Sequence, residues 1–327
     1  MLGGGPAGAA AAITLARHGS AVLVVERRRG PARKPGEALS DGALPLLTRL
    51  GVADLLDAPA HPWFDRIESA WWGVRCKPLP RSGWLIDRPI FEAGLAAQAV
   101  ADGVDWRDGV KVTTLSRRHD GWRLCLSDGS EAMVDRLVDA TGPAAVLARR
   151  LGQRHWRADR LVGAWVELTP ARAGSQGAIC VFRGLDLWWY FAWLPGRVSA
   201  VAFGQRPPRY PAAWLEAAHA AGVRARLTAT AGPSLHPAHA GYLDPPFGHG
   251  WLAVGDAAAA FDPLSGYGLT FALGSGYYGA RASLDDWRGD PVALPAYAKL
   301  VARAVLDSQI SRNYFYSLST CQDRLND

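Results

Sequence analysis

Cysteine is scarce in this chain. The four in 327 residues, Cys76, Cys125, Cys180 and Cys321, stand far apart. No C-x-x-C pair and no neighbouring histidine pattern accompanies them, which argues against a disulfide framework and a zinc site and fits a reducing, cytoplasmic setting. Long apolar runs are also missing, and none approaches the ~20 residues that a membrane span requires. The alanine-rich stretch 9–16 follows Gly-Gly-Gly-Pro without a basic flank or cleavage site, so it reads as a buried helix and not a secretory signal. Basic residues never form a long run. They come in short groups (Arg27, Arg28 and Arg29; Arg117-Arg118; Arg149-Arg150), so a net charge of +6 and a pI near 9.3 do not call for nucleic acid. An anionic cofactor or acidic partners explain the balance as well. No His pair or carboxylate pair has metal or hydrolase spacing, and His236 and His239 read as solvated in a Pro-rich loop. No metal site is expected, and the catalytic residues stay unassigned.

What is present describes an ordinary globular chain, 49% hydrophobic and 20% charged, long enough for one large α/β unit or two interleaved domains. A glycine-rich turn over 3–8 leads into a helix to about residue 18, which Gly19 ends, and residues 21–25 read as a buried strand closing on Glu26. Helices are expected over 41–57 and 90–102, with short strands and turns over 63–89. Further strands are expected near 110–115, 121–127 and 133–139, and the pattern from 161 to 205 is mostly strand. A helix (211–221), a strand (251–254) and a helical last third follow. Nucleotide-binding patterns at both ends of a strand-rich middle predict a Rossmann-like α/β domain with an inserted, mostly antiparallel β domain. The expected division is 1–60, 90–155 and 236–327 for the first, 61–89 and 156–235 for the second.

Gly3-Gly4-Gly5-Pro6-Ala7-Gly8 satisfies G-x-G-x-x-G: Gly3 for the tight turn, Gly5 for backbone approach to a pyrophosphate, Gly8 for close helix packing. Pro6 and Ala7 open the helix whose positive end faces the phosphates. Glu26, about 20 residues on, is placed to hold ribose hydroxyls, with Arg27 beside it. This alone fits several dinucleotides. The second motif decides for flavin. An apolar strand delivers Gly255-Asp256 at its carboxyl end, where a carboxylate would meet the ribityl hydroxyls of FAD. The side-chain-poor loop Pro263-Leu-Ser-Gly266-Tyr-Gly268 lets backbone lie against a flat ring system. A helix starting near Leu269 would aim its N-terminus at the pyrimidine side of that ring.

These two motifs, with Val138-Asp-Ala-Thr141-Gly142 between them, resemble the FAD-dependent monooxygenases of the aromatic-hydroxylase type. Gly36-Glu37-Ala38-Leu39, Trp71-Trp72-Gly73, Gly83-Trp84-Leu-Ile-Asp87-Arg88 and Asp186-Leu-Trp188-Trp189-Tyr190 make the chain similar to the tryptophan-halogenase-like branch. That branch includes flavoproteins that oxygenate tryptophan during quinone-cofactor maturation. The resemblance runs from Leu2 to about Tyr316. It implies bound FAD, O2 as co-substrate, and hydroxylation of an aromatic small-molecule or peptide-borne substrate, tryptophan-derived among others, through a flavin hydroperoxide. NAD(P)H docking transiently, or a partner reductase, would supply the electrons. The resemblance also puts Gly142, Glu37 and Arg88 near the cofactor. Glu37 would touch the isoalloxazine edge or serve as a helix N-terminal charge beside Ser40; Arg88 would neutralise the pyrophosphate or hold a turn. Trp188, Tyr190 and Tyr267 are candidate pocket residues.

The chain departs from that pattern in places. Ala259 replaces the usual histidine, and Tyr267 stands where a polar residue is common. The segment Trp188-Trp-Tyr-Phe-Ala-Trp193-Leu-Pro195 only approximates the Trp-x-Trp-x-Ile-Pro of halogenases, whose lysine has at most a loose counterpart in Lys77. Halogenation, reduction of prenyl-type double bonds and flavin binding without turnover therefore stay open as alternatives. Only Met1-Leu2 precede the glycine turn where the fold expects a whole strand, which predicts an apolar segment encoded upstream. The tail beyond Leu318 also departs from the expected aromatic and basic ending.

Overall fold

The computed structural model describes every residue except 72, 73, 76–78, 172–176, 185, 221–226, 230 and 323–327. The cofactor side is built on a parallel sheet. Strand Leu23–Glu26 pairs with Asp105–Asp108, and Leu137–Asp139 pairs with Trp251–Ala253, beyond which Phe247–Gly248 runs antiparallel. Leu2 joins the two pairs, forming parallel bridges to both Val25 and Asp139. Its amide donates to the Val138 carbonyl at 2.9 Å and its carbonyl accepts from Ala140 at 2.8 Å, while Met1 carbonyl accepts from Val25 at 2.9 Å. Two residues thus hold the central position of the sheet. Both are buried.

The first helix, Pro6–Arg17, begins with proline, whose fixed φ and missing N–H suit a first turn. Its alanines give high helix propensity and a thin profile, and nine of its twelve residues are buried. That thinness lets the long helix Gly268–Trp287 lie close: a Cβ added to Gly276 would stand 2.3 Å from the Ala7 carbonyl oxygen. The helix Arg88–Ala101 packs on the other flank, capped by Asp87, whose carboxylate accepts from the Ile90 amide. A three-stranded antiparallel meander over Val112–Arg118, Gly121–Leu126 and Glu131–Val134 shares the same core through Trp122, Leu124 and Leu126.

The second body is an eight-stranded sheet drawn from Ile67–Trp71 and Val74–Arg75 and from strands between 162 and 237. All its pairings are antiparallel except Ile179–Arg183 with Ile67–Trp71. One face packs on the helix Ala212–Ala220 through Trp189, Phe191, Val166 and the fully buried Trp214. The other carries Trp188, Val201 and Phe203. This is the expected α/β architecture with an inserted, mostly antiparallel sheet.

Several local expectations change. The helix over 41–57 is interrupted: only Leu44–Arg49 is α-helical, flanked by 3-10 turns, because Gly51 takes a left-handed φ of 62°. The strand over 133–139 is two strands in different sheets, separated by the exposed Asp135 and by Arg136, which pairs with Asp286. Strand Asp105–Asp108 went unread because its polar residues belong to an edge, where neither face demands apolar side chains. His239 is not solvated, and His236 is only half-buried. His236 lies on strand Ser234–Pro237 with its ring 6.1 Å from Trp165, and His239 is buried; burial lowers both pKa values.

Candidate active site

The first glycine turn is dictated by close backbone contacts. Gly3 adopts φ of 101°, and a Cβ there would lie 2.3 Å from the Ala140 carbonyl oxygen. Gly8 packs its α-carbon against the same turn, since an added Cβ would stand 2.1 Å from the Gly3 carbonyl oxygen. Gly5 differs: a Cβ would meet nothing within 4 Å. It is the N-cap of the first helix and offers no side-chain cap, so the first-turn N–H groups face that opening. Glu26 ends its strand with Oε2 accepting from the Gly4 amide at 2.8 Å and Oε1 from the Arg28 amide at 2.9 Å. The carboxylate is therefore fixed beside the turn. Arg27 is exposed next to it.

Asp139, fully buried, organises the neighbouring strand end. It accepts from the Thr141 amide (3.1 Å) and hydroxyl (2.6 Å), and from the Ala148 amide (2.9 Å). These bonds hold Gly142 at the rim, where a Cβ would again find open space. Gly255 enters from the far end of the chain with φ of 60°, its amide donating to Ser275 Oγ at 2.8 Å. A Cβ on it would lie 2.7 Å from that of Ala7. The two glycine motifs, some 250 residues apart in sequence, are thus in van der Waals contact. Asp256 follows at once in a 3-10 turn, and burial raises its pKa while Arg88 and Lys34 pull it back.

The loop after it is stiffened at both ends. Asp262 accepts from the Leu264 amide at 3.0 Å, Pro263–Ser265 forms a 3-10 turn, and Gly266 turns the chain with a left-handed φ of 60°. Arg81 donates to the Ser265 carbonyl at 3.0 Å, and Arg312 from the last long helix, Ala293–Gln322, bonds Asp262 at 3.2 Å. Helix Gly268–Trp287 starts immediately, one residue earlier than expected and without a side-chain cap; Gly268 again borders open space. Tyr267 is 44% exposed and leans on Phe261 and Phe271.

Arg88 is buried at the first turn of its helix. It bonds the Gly36 carbonyl at 2.8 Å and Glu92 at 2.6 Å, and Glu92 also takes Lys34 at 2.9 Å. Burial and the neighbouring Arg88 push Lys34 down to about 8. Sequence reading missed Lys34 and Glu92, although the i,i+4 spacing of Arg88 and Glu92 was a usable signal. Glu37 is not a helix-terminal charge beside Ser40. It lies just before strand Ala38–Ser40, 1% exposed, accepting from the Gly36 amide at 3.0 Å, and burial raises its pKa against the pull of Arg197 and Arg88.

The opposite wall comes from strand Trp188–Leu194, whose side chains alternate as expected. Trp189 and Phe191 fill the outer core. Trp188 stacks on Phe203 with centroids 4.0 Å apart, and Tyr190 and Leu264 of the glycine loop join the same cluster. The Tyr190 hydroxyl is buried with no hydrogen-bond partner, and burial beside Glu37 drives its pKa well above the ordinary value. The structure thus brings together the first glycine turn, Glu26, Gly142, Gly255 and Asp256. It sets Trp188 and Tyr190 against the second loop. Trp72, Gly73 and Lys77 lie outside the described residues.

Comparison with known proteins places this geometry. Residues 1–137 match the family model described as an FAD binding domain. Over most of its length the chain is similar to a putative FAD-dependent oxidoreductase, to menaquinone reductases and to halogenases. The chain is an FAD-dependent oxidoreductase. It is 26% identical to a putative FAD-dependent oxidoreductase, LodB, of Marinomonas mediterranea, over 97% of this chain and 91% of that protein. It is 27% identical to a menaquinone reductase of Mycolicibacterium smegmatis over 86% and 75% of the two chains. A solved flavin-dependent brominase superposes with a TM-score of 0.85 at 19% identity, covering 100% of this chain and 89% of the other, which establishes the shared fold. The open cradle at Gly5, Gly142 and Gly268, the uncapped helix ends and the anchored Glu26 fit FAD. Among the described residues no cluster of His, Cys, Asp or Glu suits a metal ion, and no helix is long and apolar enough to cross a membrane.

Proposed function

We propose that the chain is an FAD-dependent monooxygenase that hydroxylates an aromatic substrate, tryptophan-derived or peptide-borne. FAD, once reduced, supplies the activation of O2. Residues 1–60, 90–155 and 236–327 would hold it, and 61–89 with 156–235 would hold the substrate. Glu26 would take the adenosine ribose with Arg27 beside it. Gly3, Gly5, Pro6, Ala7 and Gly8 would pass the pyrophosphate along the helix end, with Arg88 on its flank. Gly142, Asp256 and the loop Pro263–Ser265, Gly266 and Gly268 would line the ribityl chain and ring. Glu37 would border the ring edge, and Trp188 and Tyr190 the substrate, with Tyr267 at the margin.

One observation carries the reading: Leu264 of the glycine loop packs against the same cluster that Trp188, Phe203 and Tyr190 share. A planar substrate stacked there is shielded from water beside the cofactor. The Tyr190 hydroxyl, lacking a protein partner, would donate to a polar atom of that substrate. Strand register favours oxygenation over halogenation. Counting back from Pro195, Tyr190 and Ala192 occupy the two tryptophan positions of the halogenase segment. Trp193 instead packs with Phe191 on the outer face, 6.2 Å between centroids. NAD(P)H or a partner reductase would supply electrons.

The decisive test uses protein loaded with FAD. Aromatic candidates, free and within peptides, should stimulate NADPH or reductase-driven O2 uptake and yield a product heavier by one oxygen. A chlorinated or brominated product in the presence of halide, with no oxygenated one, would overturn it, as would substrate-independent behaviour throughout.

A further inference from the structure

The segment that leads from the Gly142 turn to the inserted sheet carries charge that cofactor binding leaves unused. Between residues 149 and 160 there are five arginines, Arg149, Arg150, Arg154, Arg157 and Arg160, against one acid, Asp159. That is four of the six net positive charges in about a dozen residues. All five arginines are exposed. Asp159 is engaged elsewhere, by Arg312 at 3.2 Å, and none of the five arginines has an ion-pair partner among the described residues. In their midst Trp156 is 46% exposed, with the Arg154 guanidinium 4.0 Å above its ring. The strand that bears it, His155–Arg157, is the edge of a small sheet completed by Gly241–Leu243 and Ala259–Ala260, the latter just after Asp256.

Five neighbouring like charges repel one another, and covering them with an anionic surface relieves that cost. Arginine and tryptophan together, without lysine, are the side chains that concentrate at the centres of protein interfaces. An edge strand adds free main-chain donors and acceptors that suit an extended chain. A lipid surface would need an aromatic ring free to insert, whereas Trp156 lies flat beneath Arg154. A nucleic-acid duplex would need the charge spread along a track, and here it is confined to one stretch of about a dozen residues.

We propose that this patch docks an acidic polypeptide at the seam between the cofactor side and the inserted sheet. The proposal rests on the peptide-borne form of the reaction above, but docking requires no turnover, so the two can fail separately. The probe is a labelled glutamate–tyrosine random copolymer, titrated with FAD-loaded protein and followed by anisotropy. The wild type should bind it in a salt-sensitive way and more tightly than duplex DNA or phosphatidylglycerol-containing vesicles. Arg154→Glu with Arg157→Glu should raise Kd about tenfold or more, an effect of charge reversal at a docking face, while Arg209→Glu leaves it unchanged. Trp156→Ala should weaken binding several-fold with the same salt dependence. Melting temperature and bound FAD report folding, and the milder Arg154→Gln with Arg157→Gln serves if the reversal does not fold. No binding, binding indifferent to these arginines, or tighter binding of DNA or vesicles through them would overturn the proposal.

Discussion

Gly5 and Gly8 stand three residues apart in one motif, yet substitution should strike the fold at one and the cofactor at the other. A Cβ on Gly8 would lie 2.1 Å from the Gly3 carbonyl oxygen, a backbone atom pinned by the sheet through the Gly3 amide and Val25. Relief requires the turn and helix to separate by roughly an ångström, and overpacking of this kind costs ~1–3 kcal/mol. Alanine returns up to about 1 kcal/mol through helix propensity, leaving a net loss of up to about 2 kcal/mol. In a chain of this size that lowers the melting temperature by up to roughly 3 °C. Gly5 has φ of −71° and ψ of −178°, which alanine adopts freely, and its Cβ would meet no protein atom. Gly5→Ala should therefore leave the FAD-free protein as stable as wild type. It should weaken FAD binding by about 5- to 100-fold, the equivalent of ~1–3 kcal/mol of crowding against the ligand. Thermal melts without FAD and flavin fluorescence titrations separate the two effects. If Gly5→Ala melts early without FAD, or binds FAD as wild type does, the assignment of the open cradle is wrong.

Glu37 gives a pH signature. Unfolded, it loses its proton near the ordinary carboxylate value; folded, burial holds the proton to higher pH. The native state then binds more protons across that interval, so stability falls as pH rises through it. Glu37→Gln should raise the FAD-free melting temperature at neutral pH and flatten its decline as pH rises above the ordinary carboxylate range; a lower melting temperature at neutral pH refutes this. Arg312→Met strands the buried Asp262, itself 1% exposed, and should cost about 1–3 kcal/mol once the 30% exposure of Arg312 is discounted. Faster proteolysis within helix Ala293–Gln322 should follow, with partial recovery on adding Asp262→Asn; an unchanged melt would contradict it. Tyr190→Phe removes a buried hydroxyl that lacks a partner and should stabilise the FAD-free protein by about 1 kcal/mol. The same change should slow substrate-stimulated O2 uptake. A loss of stability would mean the hydroxyl already has a protein partner.

What the sequence made legible follows from how locally each feature is enforced. The first glycine turn could be read because its constraints act within six residues: Gly8 must clear Gly3 whatever else the chain does. Glu26 was legible for the same reason, lying one strand away. The alternation of Trp188 and Tyr190 against Trp189 and Phe191 followed from strand geometry alone. Features set by distant chain were harder. The contact of Gly255 with Ala7 depends on two helices packing through Gly276, which no local pattern announces. Asp139 stood inside a quoted motif, but its three hydrogen bonds bind a turn that forms only after the strand has docked. The same dependence misled the reading of His239, which looked solvated in a Pro-rich loop and is buried. The arginines of 149–160 illustrate the converse. Their spacing looked scattered because other residues separate them, yet a short helix and an edge strand turn every one to solvent on a single connecting segment. Leu151, His155 and Asp159 between them are partly buried and hold the segment down, while all five guanidinium groups stay outside. The segment sets out directly from the Gly142 turn, where a bulky partner would have to approach the site.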